Sequence, residues 1–188
     1  MPKYAGRKAV VVGGATGLGL AIAKRLVEGG AEVLVTGGPG ADLDAAAFEV
    51  GSCAHVIRCD PADPAAVEAL APAIGSRLGR VDLLFVHADD GSPTPPAPGL
   101  PRLLRLRRLL SEDASVVLTG PAADDPNASS IAPVVRCRGP ADETADAALR
   151  LAALASHTPH TSRTPHTSRT PQALPDHPQA PRNPATYR

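Results

Sequence analysis

The chemistry promised near the start of this chain comes from backbone rather than side chains. In Ala9-Val-Val-Val-Gly-Gly-Ala-Thr-Gly-Leu-Gly-Leu20 a β-branched run meets a glycine-rich turn. Glycine lets the chain turn sharply and lets its peptide groups approach an anion closely. A helix that starts there presents unpaired N–H groups and the positive end of its dipole, which together suit a pyrophosphate. The candidate phosphate contacts are Gly13, Ala15, Thr16, Gly17, Leu18 and Gly19. Glycines also punctuate ordinary loops, so the reading depends on what flanks them.

The flanking elements fit. Leu18, Ile22 and Leu26, with Ala23 and Val27, share one helical face, and Lys24, Arg25 and Glu28 take the other. Gly29-Gly30 ends that helix, and Glu32 to Thr36 is again strand-like, which completes the strand, turn, helix, strand unit of a dinucleotide fingerprint. Five runs, Ala9–Val12, Glu32–Val35, His55–Ile57, Leu83–Val86 and Ser115–Leu118, are continuously apolar or nearly so, as parallel strands covered on both faces are. Helix-like segments separate them. Ala41 to Glu49 has Leu43, Ala47 and Phe48 apolar, and Asp63-Pro64 supplies an N-cap and a first-turn proline for a helix to about Leu78. This order predicts a Rossmann-like, doubly wound parallel α/β sheet with right-handed crossovers. Ligands of such sheets bind beyond the carboxyl ends of the strands, which draws Thr36-Gly37-Gly38, Asp60 and His87-Ala88 to the same edge. An acidic residue after the second strand would bond an adenosine ribose, and a basic one would pair with a 2′-phosphate. Neither stands there.

The spacing Gly13-x-x-x-Gly17-x-Gly19 resembles that of the short-chain dehydrogenase/reductase family, Thr-Gly-x-x-x-Gly-x-Gly, with Val12 in place of Thr. Tyr4-Ala-Gly-Arg-Lys8, Asp60 and Arg80-Val-Asp-Leu-Leu-Phe-Val86 extend the likeness, and Ala114–Thr119 and Ile131–Ala155 continue it in pieces. The resemblance implies an oxidoreductase that moves hydride between NADP or NAD and a small carbonyl or alcohol. It places Gly13, Gly17, Leu18 and Gly19 at the pyrophosphate, Asp60 at the adenine amino group and His87-Ala88 near the ribose. Thr36-Gly37 matches the first two residues of a Thr-Gly-Arg variant that goes with NADP, while Gly38 replaces the Arg, so the balance tips slightly to NADP. Asp60 reads equally as a turn residue before Pro61. His87-Ala88-Asp89 stands where the family has Asn-Ala-Gly, which puts a carboxylate where the family has no side chain and where it would repel a phosphate. The other reading makes His87 an acid/base partner of Asp89 or Asp90.

The family's proton relay uses Asn, Ser, Tyr and Lys, the cation lowering the Tyr pKa. Here the two tyrosines are Tyr4 and Tyr187, and Tyr4-Ala-Gly-Arg-Lys8 precedes the first strand, at the edge away from the cofactor. Pro121 aligns with the family's Ser, and Ser129 and Ser130 are nearby hydroxyls without an evident base. A proline-rich loop, Ser92–Pro101, and a short Leu/Arg helix, Leu103–Leu110, replace a longer helix; the latter reads as a sheet cover with snorkelling arginines. Gly120 to Ser130 is short for a parallel crossover, so Ser130-Ile-Ala-Pro133 is not expected in the usual parallel place, and the sheet is expected to be incomplete on its carboxyl-terminal side. Pro140–Leu151 reads as a late helix. No catalytic residue is assigned, which keeps open an inactive nucleotide- or partner-binding relative and a non-functional gene remnant.

Composition narrows the partners. Nineteen basic and nineteen acidic residues cancel, and aromatics make up 2% with no Trp, which favours neither nucleic acid nor membrane. Cys53, Cys59 and Cys137 lack zinc spacing and read as reduced thiols, with no metal site; the cytoplasm is the default compartment. One domain is expected over residues 1–155. From Ser156 the composition changes, with His160-Thr-Ser-Arg-Thr-Pro165 repeated as His166–Pro171, so 156–188 is expected to be a disordered tail. A homo-oligomer is left open, since the family's usual interface helices are shortened.

Overall fold

The computed structural model describes residues 2–60, 63–87, 104–119, 145–150 and 152. Strands β1 (Lys8–Val12), β2 (Glu32–Gly37), β3 (Ala54–Arg58), β4 (Val81–His87) and β5 (Leu110–Thr119) form one sheet in the order β3-β2-β1-β4-β5, with every neighbouring pair parallel. Helices α1 (Gly17–Glu28), α2 (Leu43–Val50) and α3 (Pro64–Arg77) connect the first four strands. The sequence order turns back between β1 and β4, and that switch point is where an open α/β sheet has its crevice.

Successive strand side chains point to opposite faces, and here both faces are covered. Val11, Val33 and Val35 pack with Ile22, Ala23 and Leu26 of α1, whereas Val10, Val12 and Leu34 pack with Val67, Leu70 and Ile74 of α3. Each fully buried Leu or Ile contributes about 1.5–3 kcal/mol relative to exposure. The α1 face also receives residues 145–150 and 152, which are helical and are called α4: Ala145, Ala148, Leu149 and Ala152 are buried there. Arg25 pairs with Asp146, and the Ser115 hydroxyl donates to the Ala152 carbonyl over 2.9 Å.

The third helix begins as its sequence predicts, with the Asp63 carboxylate accepting from the Ala65 N–H and Pro64 in the first turn. Two expectations are corrected. The second helix starts at Leu43, not Ala41, because the Asp42 carboxylate caps it by accepting from the Ala45 N–H. That start buries Ala46 and Val50 and leaves Phe48 90% exposed. The Leu/Arg segment is a 3₁₀ helix, Leu104–Leu109, and Leu110 already belongs to β5, where it pairs with Val81 across an irregular register. The Ser111 hydroxyl, donating to Asp82, helps hold this early start of the strand. The segment does cover the sheet: Leu106 is buried against the α3 side while Arg107 and Arg108 are exposed. The expectations for Ser92–Pro101, Gly120–Pro133, the first turn of the late helix and the 156–188 tail lie outside the described residues.

Candidate functional site

The glycine turn leaves β1 at its carboxyl end and is shaped by close approaches at Gly13 and Gly19. Gly13 has φ +74°, and a Cβ there would stand 2.2 Å from the His87 carbonyl oxygen. Gly17 has φ +51°. A Cβ on Gly19 would stand 2.2 Å from the Gly13 oxygen and 2.7 Å from the Gly14 Cα, so the first turn of α1 lies directly on the backbone it follows. Side chains are excluded at Gly13 and Gly19 by backbone atoms, which cannot rotate away.

The peptide nitrogens divide into two sets. Gly13 N–H donates to Thr36 Oγ1 over 3.2 Å and Gly14 N–H to the Thr36 carbonyl over 2.8 Å, so β2 ties down the inner side of the turn. Leu20 N–H is bonded back to the Thr16 carbonyl. Between these, the N–H groups of Ala15, Gly17, Leu18 and Gly19 meet no acceptor among the described residues, as expected at a helix start. The first turn of α1 contains no acidic residue, Thr16 makes no side-chain cap bond, and Thr16 and Gly17 are exposed. Leu18 is half-buried and Ala15 and Gly19 are buried, so the arrangement is a set of donors at a positive dipole end that opens to solvent at Thr16 and Gly17, fit for an anion.

Along the same edge, Gly37 and Ala15 are both buried. A Cβ on Gly37 would come within 2.6 Å of the Ala15 Cβ, so Gly37 permits the turn after β1 to close on β2. Gly38, the next residue, has nothing within 4 Å of its Cβ position. Asp60 is half-buried and its carbonyl accepts from the Asp63 N–H in the turn that opens α3. Beside it, Cys59 donates its N–H to the Gly37 carbonyl, and its thiol pKa is pushed up by burial first and then by the Asp60 and Asp63 carboxylates. His87 is half-buried with Nδ1 2.9 Å from the Thr119 hydroxyl, which joins the ends of β4 and β5. Ala88, Asp89, Asp90, Ser129 and Ser130 lie outside the described residues. Leu18 is half-buried at the start of α1.

Tyr4 and Lys8 lie at the opposite edge, as their position before β1 predicts. Tyr4 N–H donates to the Gly29 carbonyl, the Tyr4 ring fills the space a Gly29 side chain would need, and Lys8 Nζ donates to the Leu78 carbonyl. A cavity of about 770 Å³ opens on the flank of α1, lined by Tyr4, Lys24, Asp146 and Arg150 among others, and reaches Gly17 at the start of the helix. Among the described residues no group of three or more His, Cys, Asp or Glu side chains could hold a metal, and no helix is long and apolar enough to cross a membrane.

Two residues with a visible part in this edge carry no motif signal: Thr119 and Arg58. Arg58 ends β3 and pairs in register with Gly37, and its Nη1 donates to the Gly38 and Pro39 carbonyls, both over 3.1 Å.

Residues 7–93, which hold the glycine turn and strands β1 to β4, match the short chain dehydrogenase family. This part of the chain, residues 7–93, is of the short-chain dehydrogenase family. A 2-dehydro-3-deoxy-L-rhamnonate dehydrogenase (NAD(+)) of Sphingomonas sp. is 39% identical over 94 residues, which span 50% of this chain and 37% of that protein. The oxidoreductase asL5 of Sarocladium schorii is 34% identical over 93 residues, again 50% and 37%. The likeness to these relatives thus spans well under half of their length. A short chain dehydrogenase of Burkholderia cenocepacia, solved in complex with NADP, superposes with a TM-score of 0.56 at 28% identity, over 66% of this chain and 59% of that one.

Proposed function

We propose that residues 8–87 and the strands around them form the dinucleotide-binding part of a nicotinamide-dependent oxidoreductase. The observation that carries this reading is the turn at the end of β1, where Gly13 and Gly19 have no room for side chains and the peptide nitrogens of Ala15, Gly17, Leu18 and Gly19 are unpaired among the described residues. Those donors, with Thr16 at the rim, would hold the pyrophosphate. Gly13 and Gly37 act by permitting close approach, since Gly37 is buried against Ala15. Asp60 would face the adenine, and His87 with Ala88 the nicotinamide ribose, as in the family's arrangement. When bound, the nicotinamide supplies hydride to, or takes it from, a small carbonyl or alcohol.

A second reading has its own observation. The chain's one Tyr-x-x-x-Lys, Tyr4 to Lys8, is committed to Gly29 and Leu78 at the amino edge, so the described residues include no tyrosine or lysine at the carboxyl edge to relay a proton. A relative that binds the cofactor without turning it over accounts for this. Thermal unfolding with NADP, NADPH, NAD and NADH tests the shared part: a dinucleotide at 100 times its Kd stabilises by about 2.7 kcal/mol, or roughly 5–10 °C in a chain of this size. Cofactor oxidation with a panel of aldehydes, ketones and quinones then separates turnover from binding alone. A cooperative melt that no dinucleotide moves would refute both readings.

A further inference from the structure

We infer that Arg58, at the end of β3, selects the 2′-phosphorylated dinucleotide, taking in space the role that Gly38 leaves vacant after β2. The inference rests on the dinucleotide reading above. In a sheet of this order the adenosine ribose lies beyond the end of the second strand. That end is Thr36-Gly37-Gly38: Thr36 is turned inward to the Gly13 and Gly14 nitrogens, Gly37 is packed against Ala15, and Gly38 faces open space. None of the three offers a charge to whatever sits there.

The cation arrives from the neighbouring strand. Parallel pairing sets Arg58 beside Gly37, and Nη1 reaches over the end of β2 to both the Gly38 and Pro39 carbonyls. Two carbonyl acceptors fix the guanidinium at the rim of the open space while leaving the side chain exposed. A guanidinium carries five N–H donors in a planar fork, so holding Nη1 in place leaves others for phosphate oxygens, which it binds by charge-assisted pairs of hydrogen bonds. The acid of the adjoining loop is already engaged: the Asp42 carboxylate caps α2 by accepting from the Ala45 N–H. A ribose 2′-hydroxyl would therefore find no acidic acceptor of the NAD type from that loop, whereas a 2′-phosphate would find a cation.

Direct binding tests this without turnover. The dinucleotides' own fluorescence reports NADPH and NADH binding, and the chain has no Trp to interfere. The intact chain is expected to bind NADPH more tightly than NADH, and adenosine 2′,5′-bisphosphate more tightly than 5′-AMP. Arg58→Ala is expected to weaken NADPH by about tenfold, equivalent to about 1.4 kcal/mol, with little change for NADH or in the melting temperature. Adding Gly38→Arg to Arg58→Ala is expected to restore the preference, because the Gly38 site has room for a side chain. A preference for NADH in the intact chain, or an NADPH preference that survives Arg58→Ala, would overturn the Arg58 assignment while leaving the cradle standing. A folded chain that binds neither dinucleotide would overturn the cradle and this inference together.

Discussion

Gly13→Ala separates the two demands that the cradle makes on its first glycine. Its φ of +74° is costly for any residue with a Cβ, about 1–2 kcal/mol. Its Cβ would also stand 2.2 Å from the His87 oxygen, so the ends of β1 and β4 must part by more than about 1 Å to reach the 3.4 Å of ordinary contact. Overpacking of that kind costs about 1–3 kcal/mol, and the two terms together predict about 2–5 kcal/mol. Two other glycines isolate the terms. Gly6 has φ +75° with nothing within 4 Å of its Cβ position, so Gly6→Ala measures the backbone term alone, about 1–2 kcal/mol. Gly19 is helical and its Cβ meets only the steric obstacle, the Gly13 oxygen at 2.2 Å, so Gly19→Ala measures overpacking, about 1–3 kcal/mol. Urea unfolding followed by far-ultraviolet circular dichroism reads all three, with stability taken from the midpoint at unchanged slope. Gly13→Ala is expected to be the most costly. If it costs no more than Gly6→Ala, the His87 carbonyl does not press on the turn, and the account of how β4 shapes the cradle fails.

Thr36→Val keeps the shape of a buried side chain but removes the acceptor for the Gly13 N–H; an expected loss of about 1–3 kcal/mol, together with weaker dinucleotide stabilisation in thermal unfolding, checks its role. Alkylation read by mass spectrometry is expected to label exposed Cys53 quickly at neutral pH and to spare Cys59 until the chain unfolds, because burial and the neighbouring Asp60 and Asp63 carboxylates keep the Cys59 thiol protonated. The hydrogen bond and charge of Arg25 hold the Asp146 carboxyl below its ordinary range. The pair therefore adds stability above that ordinary range, and the addition fades as pH falls through the lowered value. Arg25→Ala is expected to return the Asp146 titration, followed by carbon-detected magnetic resonance, to the ordinary carboxylate range.

Much of this architecture is legible in the residue order because the central strands are buried on both faces. Val10, Val11, Leu34 and Phe85 are fully enclosed or nearly so, and nothing but continuous apolar runs can fill such positions. The third helix is legible for a local reason, the Asp63-Pro64 start. Where local signals compete, the reading slips. The alanine-rich stretch after β2 offers no strong apolar stripe, and its start is decided by the Asp42 cap, which moves Phe48 to the surface. The leucines after residue 103 fit a helical face as well as a strand, and pairing of Leu110 with Val81 starts the strand there while Leu104–Leu109 stay in a 3₁₀ helix. The glycines of the cradle announce themselves by spacing. Some of their supports do not, because Thr119 and Arg58 reach the site only through a register and a strand order set by the whole sheet.

That dependence bears on how binding and proton transfer relate in this chain. The inner side of the cradle is bonded to β2 through Thr36, its floor is the His87 carbonyl of β4, and His87 is joined in turn to Thr119 of β5. Four adjacent strands therefore fix the donor positions, so the proposed phosphate site is expected to lose little entropy on binding. No tyrosine–lysine pair for proton transfer stands at that edge among the described residues, since Tyr4 and Lys8 are held at the far edge by Gly29 and Leu78. Dinucleotide affinity is accordingly expected to follow the integrity of the sheet and to be indifferent to Tyr4→Phe beyond its effect on folding. Turnover would then demand a proton donor other than that tyrosine, and a comparison of its rate between the intact chain and His87→Gln would show whether the imidazole beside Thr119 takes part.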